Sequence, residues 1–232
     1  MTSCVGTNEG VPVTKDAIEP AGKTYITFDI CQNLDVIRHS MIGAPPQFAI
    51  WLEDPDTRRL RTVFVTRSSA KGKWVGKTRC PVALPRWFDV FKEEFNSNDL
   101  PNYKNPLPDA LSGATPKTET LSVQVEVEPG SRWVCWIEMN LAGDFNDSYR
   151  PRDDERKVID LHLSGQPPLI YKAEIAAVLG EQATPKLVAQ SILDERGTAK
   201  LQAVDPRVTT AKDVFGRVRI SVASMTGVSP TN

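Results

Sequence analysis

The chain has 232 residues, 40% of them apolar and 25% charged, with a formal net charge of −1. That balance is globular, which excludes wholesale disorder and collagen-like structure, and a near-neutral chain gives no case for nucleic-acid binding. No apolar run approaches the roughly 18 residues of a membrane-spanning helix, and two histidines, His39 and His162, leave little room for histidine-based metal chemistry.

Residues 1–22 read as a flexible tether, interrupted by Gly6, Gly10, Pro12, Pro20 and Gly22. Within it Cys4 follows Met1-Thr2-Ser3 and precedes a polar stretch. That arrangement resembles the processed end of a bacterial lipoprotein, so Cys4 is a candidate lipid anchor. Ile26, Phe28 and Ile30 alternate with Tyr25, Thr27 and Asp29, the period of a strand with one buried face. Phe48, Ile50 and Leu52, the break Asp54-Pro55-Asp56, and Arg61 to Thr66 together predict a hairpin. Residues 68–81 read as a basic loop. Pro85 to Asn96 predicts a helix, with Pro85 in the first turn and Trp87, Phe88, Phe91 and Phe95 on one face. Residues 97–118 are loop-like, with Pro101, Pro106, Pro108 and Pro116.

Leu121, Val123, Val125 and Val127 mark a half-buried strand that Pro129-Gly130 turns. Trp133 to Leu141 is apolar on both faces and predicts a central strand. Asp144 to Arg156 is a charged loop, and Leu169 to Val178 another strand. Thr184 as N-cap, Pro185 at the first position and Gly197 at the stop predict a helix over Pro185 to Arg196. Thr209 or Thr210 caps a short turn through Asp213, Val214 to Ala223 forms the last strand, and residues 225–232 read as a loose tail.

Seven or more short strands with one or two inserted helices predict a mainly β fold, an antiparallel immunoglobulin-like β-sandwich. A single domain over residues 23–224 accounts for them, with a long insertion at about 67–118 where function would concentrate. No C-x-x-C pair exists among Cys4, Cys31, Cys80 and Cys135, against zinc-ribbon and thioredoxin-type chemistry. Cys31 and Cys135, in strand-like segments, are expected as buried thiols. A disulfide among Cys31, Cys80 and Cys135 stays open.

The most specific segment is Pro108-Asp109-Ala110-Leu111-Ser112-Gly113-Ala114-Thr115-Pro116. Small, hydroxyl-bearing residues between prolines predict an exposed loop, and Gly113 lets another molecule approach its backbone. The segment resembles the acceptor motif of bacterial flavin transferases: an Asp, two variable residues, then Ser/Thr-Gly-Ala-Thr/Ser. Asp109, Ser112, Gly113, Ala114 and Thr115 match it in spacing. The resemblance implies that Thr115 receives FMN through a phosphoester bond.

A second resemblance extends over roughly residues 24–223. Phe48 to Asp54, Arg61 to Thr66, Ala83 to Trp87, Asp109 to Thr115, Ser164 to Tyr171 and Thr209 to Asp213 look like blocks of an uncharacterised bacterial family. It is the domain of unknown function numbered, in words, twenty-two seventy-one, whose members are predicted to be periplasmic. That resemblance implies an extracytoplasmic protein in the company of membrane flavin and PepSY-type redox proteins. The aromatic character of helix 85–96 is not part of the resemblance.

Ten basic residues between Asp56 and Lys92 face only Asp56 and Asp89, a local charge of about +8. They are Arg58, Arg59, Arg61, Arg67, Lys71, Lys73, Lys77, Arg79, Arg86 and Lys92. Arg86 and its neighbours are candidates to hold the FMN phosphate and a reduced, anionic ring. Trp74, Trp87 and Phe88 are candidates to cover the ring by stacking.

Other chemistry is weaker. Asp144-Phe145-Asn146-Asp147 with Asp153-Asp154-Glu155 offers oxygen ligands of the calcium type, but lacks the glycine and spaced glutamate of an EF-hand. Arg150, Arg152 and Arg156 interleave with it, so a solvated charged loop is expected. Nucleophile-elbow, zincin, Walker and Rossmann motifs are absent, and His39 and His162 are expected to be structural. The function expected is therefore a non-enzymatic electron carrier, loaded by a flavin transferase and exchanging electrons with a membrane redox protein. The alternative is a cell-envelope binding or structural module without cofactor, with a groove lined by Trp51, Trp74 or Trp87 for a glycan or peptide.

Overall fold

The computed structural model describes residues 23–72, 81–97, 99–102, 104–107, 112–113 and 118–225. In chain order the elements are β1 (Lys23–Gln32), α1 (Leu34–His39), β2 (Gln47–Glu53), β3 (Leu60–Thr66), α2 (Arg67–Ala70), α3 (Pro85–Glu94), β4 (Ser112–Gly113), β5 (Thr120–Val127), β6 (Arg132–Asn140), β7 (Leu169–Ala176), β8 (Gln182–Ala183), β9 (Lys186–Leu193), β10 (Ala199–Gln202) and β11 (Phe215–Met225). Turns of 3₁₀ helix cover Pro81–Ala83 and Thr210–Asp213.

The expected mainly β, antiparallel sandwich with inserted helices is what the chain adopts. One sheet has four strands in the order β5-β1-β11-β8, the other seven in the order β10-β9-β7-β6-β2-β3-β4. Every pairing is antiparallel except β3 with β4. Alternation explains the layering. Ile26, Phe28 and Ile30 of β1, with Val218, Ile220 and Val222 of β11, meet Phe48, Ile50, Leu52, Cys135, Ile137 and Met139 of the larger sheet. These side chains share one buried cluster, the usual solution for two sheets with one apolar face each.

β6 is central, paired with β2 on one side and β7 on the other, and its outer face is covered as well. There Trp87, Phe88, Val90 and Phe91 of α3 form a second cluster with Ala49, Trp51, Val65 and Ile170. α3 follows the expected amphipathic pattern, although Phe95 falls just past its end and is exposed. α1 begins where the Asn33 side chain accepts from the backbone N–H groups of Asp35 and Val36.

Residues 185–196 depart from expectation. They form no helix; β9 occupies Lys186–Leu193 and pairs with β7 and β10. Two features imitate a helix. Thr184-Pro185 has cap-and-first-turn composition, but here it marks where the chain leaves β8 in one sheet for β9 in the other. The strand's period of two is also hidden. Ile170 opposes Ala189 and Tyr171 opposes Leu187, so Val188 is an unpaired extra residue that shifts the phase.

Cys135 is a free thiol, and burial pushes its pKa up to about 12. Cys31, expected to be buried, is free but half-buried, because it points to the polar outer face of β1. Cys4 and Cys80 lie outside the described residues. No helix among the described residues is long and apolar enough to cross a membrane.

Ile137 is fully buried where the two sheets meet. Ile137→Ala should lower unfolding free energy by about 2–5 kcal/mol, measured by urea denaturation. A loss below about 1 kcal/mol would mean the sheets are not packed through β6.

Candidate functional site

Two residues of the acceptor motif fall within the described chain. Ser112 and Gly113 form β4, which lies parallel to the end of β3, with Ser112 beside Val65 and Gly113 beside Thr66. Both are half-buried, on the outermost strand of the larger sheet. Gly113 is a packing requirement. A Cβ there would lie 2.5 Å from Cε2 of Phe64, whose ring stacks on Phe48 at 5.2 Å. The backbone crosses an aromatic ring at a distance no larger residue allows. Asp109, Ala114 and Thr115 lie outside the described residues.

The described aromatic residues expected to flank the motif are core side chains. Trp87 is fully buried. Its Nε1 donates to Thr62 Oγ1 at 3.3 Å, and its ring tilts against Phe88 at 5.0 Å and Phe91 at 5.9 Å. Phe88 is buried too. Both belong to the α3 core, so neither forms a stacking ledge. The apolar face read from the sequence faces the sheet, as burial of aromatic area dictates. Trp51 is also buried, stacked on Trp136 at 6.2 Å. The Trp51 and Trp87 walls of a glycan or peptide groove are thereby ruled out, and Trp74 lies outside the described residues.

Arg86 is half-buried in the first turn of α3, where its backbone N–H donates to Glu138 Oε1 at 3.1 Å. The described cations outside α3 divide between the two ends of β3, about 20 Å apart for a seven-residue strand. At the hairpin end, Arg58 Nη1 lies 2.6 Å from Glu53 Oε1 and Arg61 donates to the Glu126 carbonyl at 2.9 Å. At the motif end, exposed Arg67 directly follows Thr66, the neighbour of Gly113. Lys92 pairs with Asp89 within α3. Among the described cations no continuous basic ledge forms, because they follow an extended strand and then a helix; Lys73, Lys77 and Arg79 lie outside the described residues.

Glu138 is the titratable group at the centre of this face. Fully buried on β6, it accepts from the backbone N–H groups of Arg86 and Trp87, the latter at 2.7 Å to Oε2, and from the Ser191 hydroxyl. Three donors and a helix N-terminus favour the charged form. Burial outweighs them and raises the pKa to about 7. Its sequence signal is a lone carboxylate inside the apolar run Trp133–Leu141. Two more carboxylates hold α3 to the strands. Asp89 Oδ2 accepts from Ala199 N–H at 2.7 Å, and Glu94 Oε2 from Thr62 N–H at 2.8 Å. Burial raises the pKa of Glu94 as well.

The charged loop after β6 is built by turn contacts. Asn146 Oδ1 accepts from Ser148 and Tyr149 N–H, and its amide donates to the Arg207 carbonyl. Asp144 is buried against Thr210 and Gln166, and burial raises its pKa. No group of three or more His, Cys, Asp or Glu side chains among the described residues is placed to hold a metal ion. His39 Nδ1 lies 2.7 Å from the Asp35 carbonyl. A groove of about 440 Å³ opens between this loop and Val82, lined by Tyr149, Ile159, Leu161, His162 and Ser164.

No family model, no curated protein and no solved structure matches the chain.

Glu138 binds a proton more tightly folded than unfolded. Its contribution to stability is therefore complete below the ordinary carboxylate pKa of 4.5 and lost as pH rises through about 7. Unfolding free energy should fall between pH 5 and 8 by up to about 3 kcal/mol from this group. Glu138→Gln should be less stable overall, with a flatter slope. A variant slope equal to the wild-type slope would refute the assignment.

Proposed function

We propose that the protein is an extracytoplasmic electron carrier with FMN attached covalently to Thr115. Its kinship lies with the family of predicted periplasmic proteins numbered, in words, twenty-two seventy-one, and Cys4 is its lipid tether. The observation that carries the reading is the position of β4. Ser112 and Gly113 sit at an edge of the larger sheet, so the motif is entered from outside the two cores. Packing of Gly113 over Phe64 holds one side of the motif to the sheet and gives the acceptor a fixed origin.

Loading is a single transfer. The Thr115 hydroxyl oxygen attacks the flavin-side phosphorus of a flavin dinucleotide and forms the phosphoester. The diphosphate P–O bond breaks, AMP leaves, and the hydroxyl proton passes to a base of the transferase. The bound flavin then supplies reversible electron transfer between a membrane oxidoreductase and a second acceptor. This chain orients the group and takes no other part. Arg67, exposed beside Thr66, offers a cation near the attachment segment.

Co-expression with a flavin transferase should give a yellow protein whose intact mass rises by one FMN less water. Thr115→Ala should stay colourless and unmodified. Wild-type protein that keeps its unmodified mass under those conditions would overturn the reading.

A further inference from the structure

We propose that the groove between Val82 and the loop 148–165 is the seat of the isoalloxazine ring, an inference that rests on attachment at Thr115. The first observation is a row of residues across one end of the larger sheet. Gly113 lies beside Thr66. The Thr66 hydroxyl donates to Gln47 Oε1 at 2.7 Å. Gln47 opposes Asn140 across β2 and β6. The Asn140 amide donates to the Ser164 carbonyl at 3.3 Å and the Gln166 carbonyl at 2.9 Å. The acceptor strand and Asn140 thus share one end of the sheet, three strand spacings or about 14 Å apart, and the Ser164 side of the groove adjoins Asn140. The two residues from Gly113 to Thr115 span up to about 7 Å, and the ribityl-phosphate arm of FMN extends beyond them.

The second observation is the groove's chemistry. The ring system has an apolar dimethylbenzene end and a pyrimidine end crowded with donors and acceptors. The groove has both characters. Val82, Ile159 and Leu161 supply aliphatic surface, with Leu161 81% and Ile159 56% exposed. Covering side chains so open removes apolar area from water. His162 Nδ1 and Ser164 Oγ lie beneath the groove wall, closed to solvent and with no hydrogen-bond partner among the described residues; such atoms call for a partner, and they reach the ring when their side chains turn outward. A volume of about 440 Å³ suits a planar ligand of this size.

The third observation is that the turn holding these groups is preset. Asp160 accepts from His162 N–H at 3.0 Å and Gly165 N–H at 2.8 Å. Leu163 adopts φ +53° and Gly165 φ +73°. A Cβ at Gly165 would lie 2.6 Å from the Asp144 carbonyl oxygen. A non-glycine residue held in the left-handed region is costly, and such strain concentrates where a site is pre-organised.

The test uses the full chain in two arms, with Leu161→Ser and His162→Ala as variants and Leu201→Ser as a surface control. In the first arm, loaded protein is verified by intact mass and its flavin fluorescence compared with free FMN. Seating predicts several-fold quenching that both groove variants relieve, the control does not, and the mass leaves unchanged. In the second arm, unloaded protein is titrated with riboflavin, and groove-dependent quenching is expected. A normal mass gain with fluorescence indifferent to both variants would overturn the seat and leave attachment standing. Riboflavin quenching that needs Leu161 and His162, with no mass gain, would keep the seat and remove attachment. Neither signal would remove both.

Discussion

The burial of Glu138 under the first turn of α3 is the contact on which the outer half of this molecule depends. A carboxylate inside a seven-stranded sheet costs several kcal/mol in lost solvation unless donors surround it. Here the donors are the N–H groups at the start of a helix, which lack partners within the helix itself. Each side meets the other's need. The carboxylate caps the helix, and the helix solvates the carboxylate. Ser191 from β9 completes the shell, so β6, β9 and α3 are joined at one point. Asp89 and Glu94 then hold the helix to β10 and β3 through backbone N–H groups. These polar contacts fix the register in which the aromatic face of α3 packs on the sheet.

A second set of contacts gathers one end of the larger sheet. Ser112-Gly113 pairs with the end of β3 at one edge of the larger sheet. The same end of the sheet gathers the loop after β6 through Asn140 and Gln47. Gln166, far along that loop, binds Thr209 and Thr210 of the 3₁₀ turn before β11. Segments distant in sequence, 47, 66, 113, 140, 164–166 and 209–210, thus meet in one layer.

Several features were legible residue by residue. The alternation in β1, β5 and β11, the hairpin of β2 and β3, the central character of Trp133–Leu141 and the amphipathic α3 are each written in a local pattern of two or of 3.6. β9 was not legible, because an extra residue at Val188 breaks the period and Thr184-Pro185 imitates a helix start. The aromatic face of 85–96 showed that Trp87 and Phe88 share a side, and it fits a ledge and a core equally well. The +8 segment showed charge but not that its described cations are spread over both ends of β3 and over α3.

The sequence by itself therefore determined the class of fold, the strands β1, β2, β3, β5, β6, β7 and β11, and the amphipathic helix. Each follows from periodicity or spacing within a few consecutive residues. Only the tertiary structure decided that Glu138 caps α3, that Trp51 and Trp87 are core, that Gly113 must pass over Phe64, and that His162 and Ser164 line a groove at the same end as β4. Those facts depend on which strands become neighbours. Neighbour choice is a global outcome of burying two sheet faces and a helix at once, and no local pattern records it.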